Sequence, residues 1–288
     1  TKEENLRLAT GKEGFTLVEG DILDTQLLRN LFAENPIDYV VHLAARAGVR
    51  PSVEQPGLYE ETNVLGTINL LEACKGSGIQ RFLFGSSSSV YGANAQAPFR
   101  EEVKIDRPAS PYAASKAAGE LYCSVYHQLY GIPIVALRFF TVYGPRQRPD
   151  LAIHKFTQLI YQGQEVPVYG TGDSVRDFTY ISDIVDGVEA ALTAPIEGFE
   201  AINLGASRTV KLLYVIQLIS QNLGKEARLK FLPPQPGDVP LTHADVSKAA
   251  RLLGYRPKVT IEEGIRRFVQ WFLERRVPAP STPGIEVT

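Results

Sequence analysis

The sequence predicts an α/β protein: a doubly wound parallel sheet followed by a smaller C-terminal lobe. Three observations carry that reading. The first half alternates short β-branched runs with amphipathic helical patterns, as βαβ units on a parallel sheet do. After Gly144 the texture changes, with Pro145 and Pro149 breaking the alternation. The 288 residues, 44% hydrophobic and 22% charged, are enough to bury a substantial core.

In chain order, the strands are expected at 15–19, 38–43, 81–86 and 133–138, each short, apolar and β-branched or aromatic. The helices between them are expected at 25–34, 57–75 and 111–130. In the second of these Val64, Ile68 and Leu71 recur at the spacing of one buried face. Beyond Pro149 a helix over 154–162 leads to a short strand over 166–169. Helical patterns then cover 183–192 and 211–223, with a buried strand at 201–204 between them. Thr260 and Glu263 form a capping-box pair ahead of Ile261, Ile265, Phe268, Val269 and Phe272, which are spaced as one apolar stripe. The resulting division is 1–145 for the sheet domain, to which 178–205 returns, and 146–177 with 206–276 for the smaller domain. Residues 277–288 hold three prolines and read as a loose tail.

Composition excludes several classes. A net charge of -2 offers no footprint for nucleic acid. No apolar run approaches the roughly 20 residues that a membrane helix needs. Cys74 and Cys123 lie far apart without metal spacing and read as small buried residues of a reduced, cytoplasmic protein. His42, His127, His154 and His243 show no metal spacing either, so no metal is expected.

The chemistry is carried by Tyr112-Ala-Ala-Ser-Lys116 at a helix start. An i, i+4 pair stacks on one face with Cβ atoms about 5–6 Å apart. An ammonium beside a phenol lowers its pKa from the usual ~10, so that it can take a proton from an alcohol while hydride leaves the same carbon. Most Tyr-x-x-x-Lys pairs are surface decoration, but here a buried strand, Phe82-Leu83-Phe84, runs into four serines, Ser86 to Ser89. Hydroxyls at the C-terminal end of a parallel strand are placed to bind a substrate oxygen.

With these residues the chain resembles the extended short-chain dehydrogenases/reductases, specifically the NAD-dependent nucleotide-sugar epimerases and dehydratases. The matching motifs are Gly20-Asp21-Ile22, His42-Leu43-Ala44-Ala45, Thr62 to Thr67, Ser87 to Gly92, Tyr112 to Lys116, Arg138 to Pro145 and Arg176-Asp177-Phe178. They occur in family order over nearly the whole chain. The resemblance implies a Rossmann-type domain with a smaller substrate domain, NAD as cofactor, a UDP-sugar as substrate and a homodimer pairing through the helices of Leu65 and Tyr122. It assigns Asp21 and Ile22 to the adenine end of NAD, and Leu43, Ala44 and Ala45 to the pyrophosphate and nicotinamide ribose. Asn63 orders the active-site backbone, and Phe140 and Val142 border the nicotinamide. Tyr112 becomes the base, with Lys116 lowering its pKa and holding the ribose, and Ser87 binding the reacting oxygen. On the sugar and diphosphate side it places Arg50, Ser88, Ser89, Thr141, Arg148, Val168, Tyr169 and Arg176, with Asp238 on the nucleoside ribose.

Within that family, the residues just before Val90 discriminate. Dehydratases carry an Asp-Glu pair there and decarboxylases a glutamate, whereas this chain has Ser88 and Ser89. Without a carboxylate to move a second proton, 4-epimerisation is the expected reaction. Ala47 to Arg50 and Arg146 to Asp150 resemble the UDP-glucuronate 4-epimerases, in which Thr141, Ser88 and Arg148 would hold a C6 carboxylate. UDP-glucose is the alternative substrate, and a nucleotide-sugar binder without turnover is the alternative of another class. One departure stands out: the family opens with a strand and a Gly-x-x-Gly-x-x-Gly turn on the NAD pyrophosphate. Gly11, Gly14 and Gly20 do not substitute, because no apolar strand precedes them. One βα-β unit, on the order of 30–40 residues, is therefore expected to be missing at the amino end.

Overall fold

The computed structural model describes residues 2–92, 96–234 and 239–275. Its strands are β1 Tyr39–His42, β2 Arg81–Ser87, β3 Ile134–Phe139, β4 Thr141–Tyr143, β5 Glu165–Tyr169, β6 Val175–Tyr180, β7 Phe199–Leu204, β8 Thr209–Lys211 and β9 Arg228–Leu232. Strands β1, β2, β3 and β7 form one parallel sheet in that order, with Phe82 beside Ile134 and Ile134 beside Phe199.

Both faces of this sheet are covered, so its central strands bury apolar residues on both sides, with Ser86, Ser87 and Arg138 at their C-terminal ends. The period of two in β2 sends Phe82 and Phe84 to one face and Leu83 to the other. Phe82 and Phe84 pack with Leu28, Leu71, Cys123 and Tyr126 from the helices Thr25–Glu34, Gly66–Cys74 and Pro111–Tyr130. Leu83 packs with Ile184 and Ala191 of the Ile181–Thr193 helix and with Ala249 of the Ser247–Leu253 helix. Cys74 and Cys123 are buried free thiols in the first layer.

The second lobe has its own core. Helices Ala152–Tyr161, Leu212–Leu223 and Ile261–Glu274 bury Ile153, Phe156, Ile219, Ile265, Phe268 and Phe272 against Val166 and Val168 of β5. Thr260 caps the last helix by accepting from the Glu263 amide at 3.3 Å, as the capping-box pair predicts. Beside this core β4 pairs in parallel with β6, which pairs antiparallel with β8, and β5 pairs in parallel with β9.

Two expectations are corrected. Residues 15–19 form no strand; Phe15, Leu17 and Val18 are 37%, 51% and 47% exposed, because a β-branched run without a neighbouring strand has nothing to pair with. The helix expected over 57–75 is three pieces: a turn Pro56–Tyr59, a π-helical turn Glu60–Leu65 and an α-helix Gly66–Cys74. The Gly66 amide reaches back five residues to the Glu61 carbonyl, which inserts one extra residue into that turn. No helix among the described residues is long and apolar enough to cross a membrane.

Candidate active site

Ser110 starts the catalytic helix by accepting a hydrogen bond from the Ala113 amide at 3.1 Å, with Pro111 fixing its first turn. This start sets Tyr112 in the first turn and Lys116 one turn later, against the C-terminal end of β2. Ser87 is 8% exposed there; its hydroxyl donates to Ser89 Oγ at 3.2 Å and stands within hydrogen-bonding reach of the Tyr112 phenol. The same hydroxyl accepts from the Ser89 amide at 3.2 Å and so caps the short turn Ser88–Tyr91. Lys116 is buried, donates to the Gly85 carbonyl at 2.6 Å and lies 5.0 Å from the centre of the Phe84 ring.

One electrostatic expectation is corrected. The Tyr112 phenol stands above its ordinary pKa rather than below it, while the Lys116 ammonium is turned to the Gly85 carbonyl. Burial pushes that phenol above its ordinary value, and the Ser87 hydrogen bond and the Arg148 charge only partly offset this. Lys116 itself is brought down to about 8 by burial, with Cys123 and Glu120 opposing the drop.

Asn63, in the π-helical turn, ties the loop after β1 to the catalytic helix. Its side chain accepts from the Arg46 amide at 2.7 Å and donates to the Arg46 carbonyl at 3.0 Å and to Ser115 Oγ at 2.9 Å. Ser115 in turn donates to the Tyr112 carbonyl at 2.9 Å. Leu43, Ala44 and Ala45 lie in the loop so anchored, with Leu43 59% exposed. Below it His42 is buried, its Nε2 2.9 Å from Thr67 Oγ1, which donates onward to the Asn63 carbonyl. His42 is therefore a neutral donor, and burial together with the Lys116 charge lowers its pKa to about 3.

The opposite wall is built from residues of several elements distant in sequence: the helix Val49–Glu54, β4, the turn at 148–150, the helix Ala152–Tyr161, the end of β5 and the start of β6. A cavity of about 590 Å³ is lined by Arg50, Thr141, Asp150, Lys155, Tyr169 and Arg176, among others. Thr141 and Arg176 also line a smaller pocket of about 160 Å³ with Ser88 and Ser89. Arg50 spans the two lobes, its guanidinium 4.3 Å from the centre of the Tyr169 ring. Arg176 donates to the Val175 and Pro240 carbonyls, each at 3.1 Å. Arg148 grips Asp150 with both arms of its fork, at 3.1 and 2.8 Å.

Two assignments move. Val168 faces the core of the second lobe at 0% exposure, because strand alternation turns Pro167 and Tyr169 to the cavity instead. Phe140 is 4% exposed and packs among Tyr91 and Phe99, whereas half-buried Phe139 lies on the side of Leu43 and Gly85. Val142 is half-buried in β4. Asp238 lies outside the described residues. Sequence reasoning missed Tyr59, whose ring meets Tyr112 edge-on at 6.2 Å, and Lys155 in the cavity wall. It also missed Ser115, although that residue stands inside the Tyr112-to-Lys116 motif.

The residues present fit the nicotinamide and ribose portions of a dinucleotide. Exposed Leu43 and half-buried Phe139 offer apolar surface beside Gly85, with Lys116 as a donor behind it. Asp21, exposed and accepting from the Leu23 amide at 3.0 Å, offers a carboxylate to a second ribose. Ile22 beside it packs so closely on Gly66 that a Cβ there would stand 2.4 Å from its Cδ1. The phosphate portion takes a glycine-rich turn in this family, and residues 1–288 contain none.

Comparison with known proteins agrees with this geometry. The family model described as GDP-mannose 4,6 dehydratase matches residues 2–268. An uncharacterised protein of Methanocaldococcus jannaschii is 47% identical over 275 residues, 96% of this chain and 84% of its own. A UDP-glucuronate 4-epimerase of Thermodesulfobacterium geofontis is 43% identical over 263 residues, 91% of this chain and 80% of its own. The crystal structure of a UDP-glucuronic acid 4-epimerase from Bacillus cereus, in complex with UDP-glucuronic acid and NAD, superposes with a TM-score of 0.90. It is 38% identical, with 95% of this chain and 86% of that one covered. From these matches and from the Ser87, Tyr112 and Lys116 corner, the chain belongs to the NAD-dependent epimerase/dehydratase family of extended short-chain dehydrogenases/reductases.

Proposed function

We propose that the chain catalyses NAD-dependent 4-epimerisation of a UDP-sugar, converting UDP-glucuronate to UDP-galacturonate. The observation that carries this reading is the small pocket beside Ser87. Its described lining includes Ser88, Ser89, Ser110, Thr141, Thr242 and Arg176 and no carboxylate. Elimination of water across the sugar needs an acid and a base besides the tyrosine, and that pocket supplies neither.

In this reading Tyr112 takes the C4 hydroxyl proton and later returns it, while Ser87 donates to the same oxygen. Bound NAD would supply a reversible hydride acceptor at C4. Asp21, Ile22, Leu43, Ala44, Ala45 and Phe139 would line its site, with Lys116 and Tyr112 at the ribose. Arg176 meets the diphosphate, and Arg50 with Tyr169 forms the wall beside it. Thr141, Ser88 and Arg148 face the C6 carboxylate. Holding that carboxylate restricts its rotation and so slows loss of CO₂ from the 4-keto uronate, a β-keto acid. The family resemblance and the Thermodesulfobacterium and Bacillus relatives support the glucuronate choice.

The test is to supply NAD and follow UDP-glucuronate and UDP-glucose separately by NMR. UDP-galacturonate from the first, faster than UDP-galactose from the second, is the expected outcome. Faster UDP-glucose turnover overturns the substrate, and binding of both without turnover overturns the enzyme reading. Leu121, Tyr122, Val125 and Leu129, 40–67% exposed on the catalytic helix, make one apolar stripe, and Leu65 is also exposed, at 47%. That stripe supports a homodimer, which light scattering of Leu121→Glu/Leu129→Glu should reduce to monomer.

A further inference from the structure

Three consecutive residues at the end of β2 are gripped by three successive turns of one helix. Ser87 stands within hydrogen-bonding reach of the Tyr112 phenol, Gly85 accepts from Lys116 at 2.6 Å, and Ser86 Oγ donates to Glu120 at 2.5 Å. Positions 112, 116 and 120 recur every four residues and so form one stripe down the catalytic helix. Glu120 is 3% exposed and salt-bridged to Arg138, itself 4% exposed, through Nε at 3.0 Å and Nη2 at 2.7 Å. The network continues from Arg138 to the Tyr91 hydroxyl at 2.9 Å, and from that hydroxyl to Asn203 at 2.7 Å. It therefore joins β2, β3 and β7 beneath the active site. For stability alone, apolar residues of similar volume serve as well as a buried ion pair. The placement of this pair one turn below Lys116 calls for another explanation.

We propose that Glu120, held by Arg138, is a positioning residue that fixes the Ser86 end of β2 and holds the Lys116 ammonium in its place beside Tyr112. The proposal rests on the reading of Tyr112 and Lys116 as the acid–base pair. The groups facing Lys116 are Cys123 and Glu120 on its own helix, the Phe84 ring and Gly85 carbonyl on β2 and His42 on β1. Burial keeps the Cys123 thiol and the His42 imidazole uncharged, which leaves the salt-bridged Glu120 as the opposite charge.

The experiment titrates Lys116 in the full chain by lysine 13Cε NMR, with Lys116→Arg to assign its signal, and needs neither sugar nor turnover. The native residue should titrate near 8. In Glu120→Gln it should titrate about one pH unit lower, a tenfold loss of proton affinity. Because that variant strands the Arg138 charge and can unfold the protein, Glu120→Gln/Arg138→Met is its companion, and the same downward move is expected. With NAD and UDP-sugar supplied, the double variant should lose about tenfold in kcat with KM within about twofold. A Lys116 titration unmoved in the folded double variant overturns the proposal and reduces the pair to a structural one. Turnover insensitive to Tyr112→Phe instead overturns the acid–base reading, and leaves the titration result standing.

Discussion

The two walls of the cleft are made differently. On the sheet side Ser87, Lys116, Asn63 and His42 are all below 9% exposed, and each is fixed by at least one side-chain hydrogen bond. On the opposite side Arg50, Arg148 and Asp150 are exposed, and the Arg148–Asp150 pair keeps 50% and 64% of its side-chain surface in water. Buried groups cannot exchange their partners for water, so the first wall holds one geometry at a cost of several kcal/mol for each lost bond partner or added charge. Exposed ion pairs are worth little and break readily, so the second wall rearranges around a ligand at small cost. The chemistry is thus on the rigid wall and the recognition on the adaptable one.

The sharpest way to break this contrast is Tyr112→Phe, which removes one oxygen from the rigid wall. Turnover should fall about 10²- to 10⁴-fold while the melting temperature stays within about two degrees. Residual turnover near the native level would remove the base from that wall altogether.

Acid should act on the same wall. His42 is neutral in the fold, with a pKa of about 3 against 6.5 when free. The unfolded chain therefore binds the extra proton first as pH falls. The stability this histidine contributes is complete above about pH 6.5 and is lost progressively toward pH 3, in total of order 3–5 kcal/mol. Denaturant unfolding of His42→Gln across that range should show a flatter dependence than the native chain.

Asn63→Ala should cost about 1–3 kcal/mol, because the Arg46 amide and carbonyl both lose their partner. A calorimetric drop of several degrees is the expected readout. On the adaptable wall Arg148→Ala should leave the melting temperature unchanged and raise KM for UDP-glucuronate about five- to tenfold, with UDP-glucose unaffected. The effect is modest because Asp150 already fills the fork of Arg148 and must be displaced. An equal change for both sugars would detach Arg148 from the carboxylate.

The same contrast explains how much was legible in the sequence. The rigid wall is encoded locally: Tyr112 and Lys116 are four residues apart on one helix, and Ser87 follows directly on the apolar run Phe82-Leu83-Phe84-Gly85 and Ser86. The recognition wall is assembled from five separate segments around residues 50, 141, 148, 169 and 176, and no local period links them. Val168 and Phe140 failed for one reason. Alternation along a strand is readable, but which parity faces the cleft depends on the neighbour it packs against, and that is tertiary information. Residues 15–19 show the converse, since β-branched composition favours a strand only where a partner strand exists. The Glu120–Arg138 pair was missed because two charged residues 18 positions apart carry no signal of being buried together.

The π-helical turn at Glu60–Leu65 makes chain length itself a functional variable. It holds one residue more than an α-helical turn, so deleting a single residue there yields an ordinary helix with every backbone bond restored. Circular dichroism would register almost nothing. Yet each side chain on one side of the deletion would swing by about 100° relative to the other, and Asn63 would leave Arg46 and Ser115. Such a protein would keep its helix content and have the loop after β1 untethered. Deleting one residue of that turn should therefore lower turnover while the circular dichroism spectrum stays unchanged.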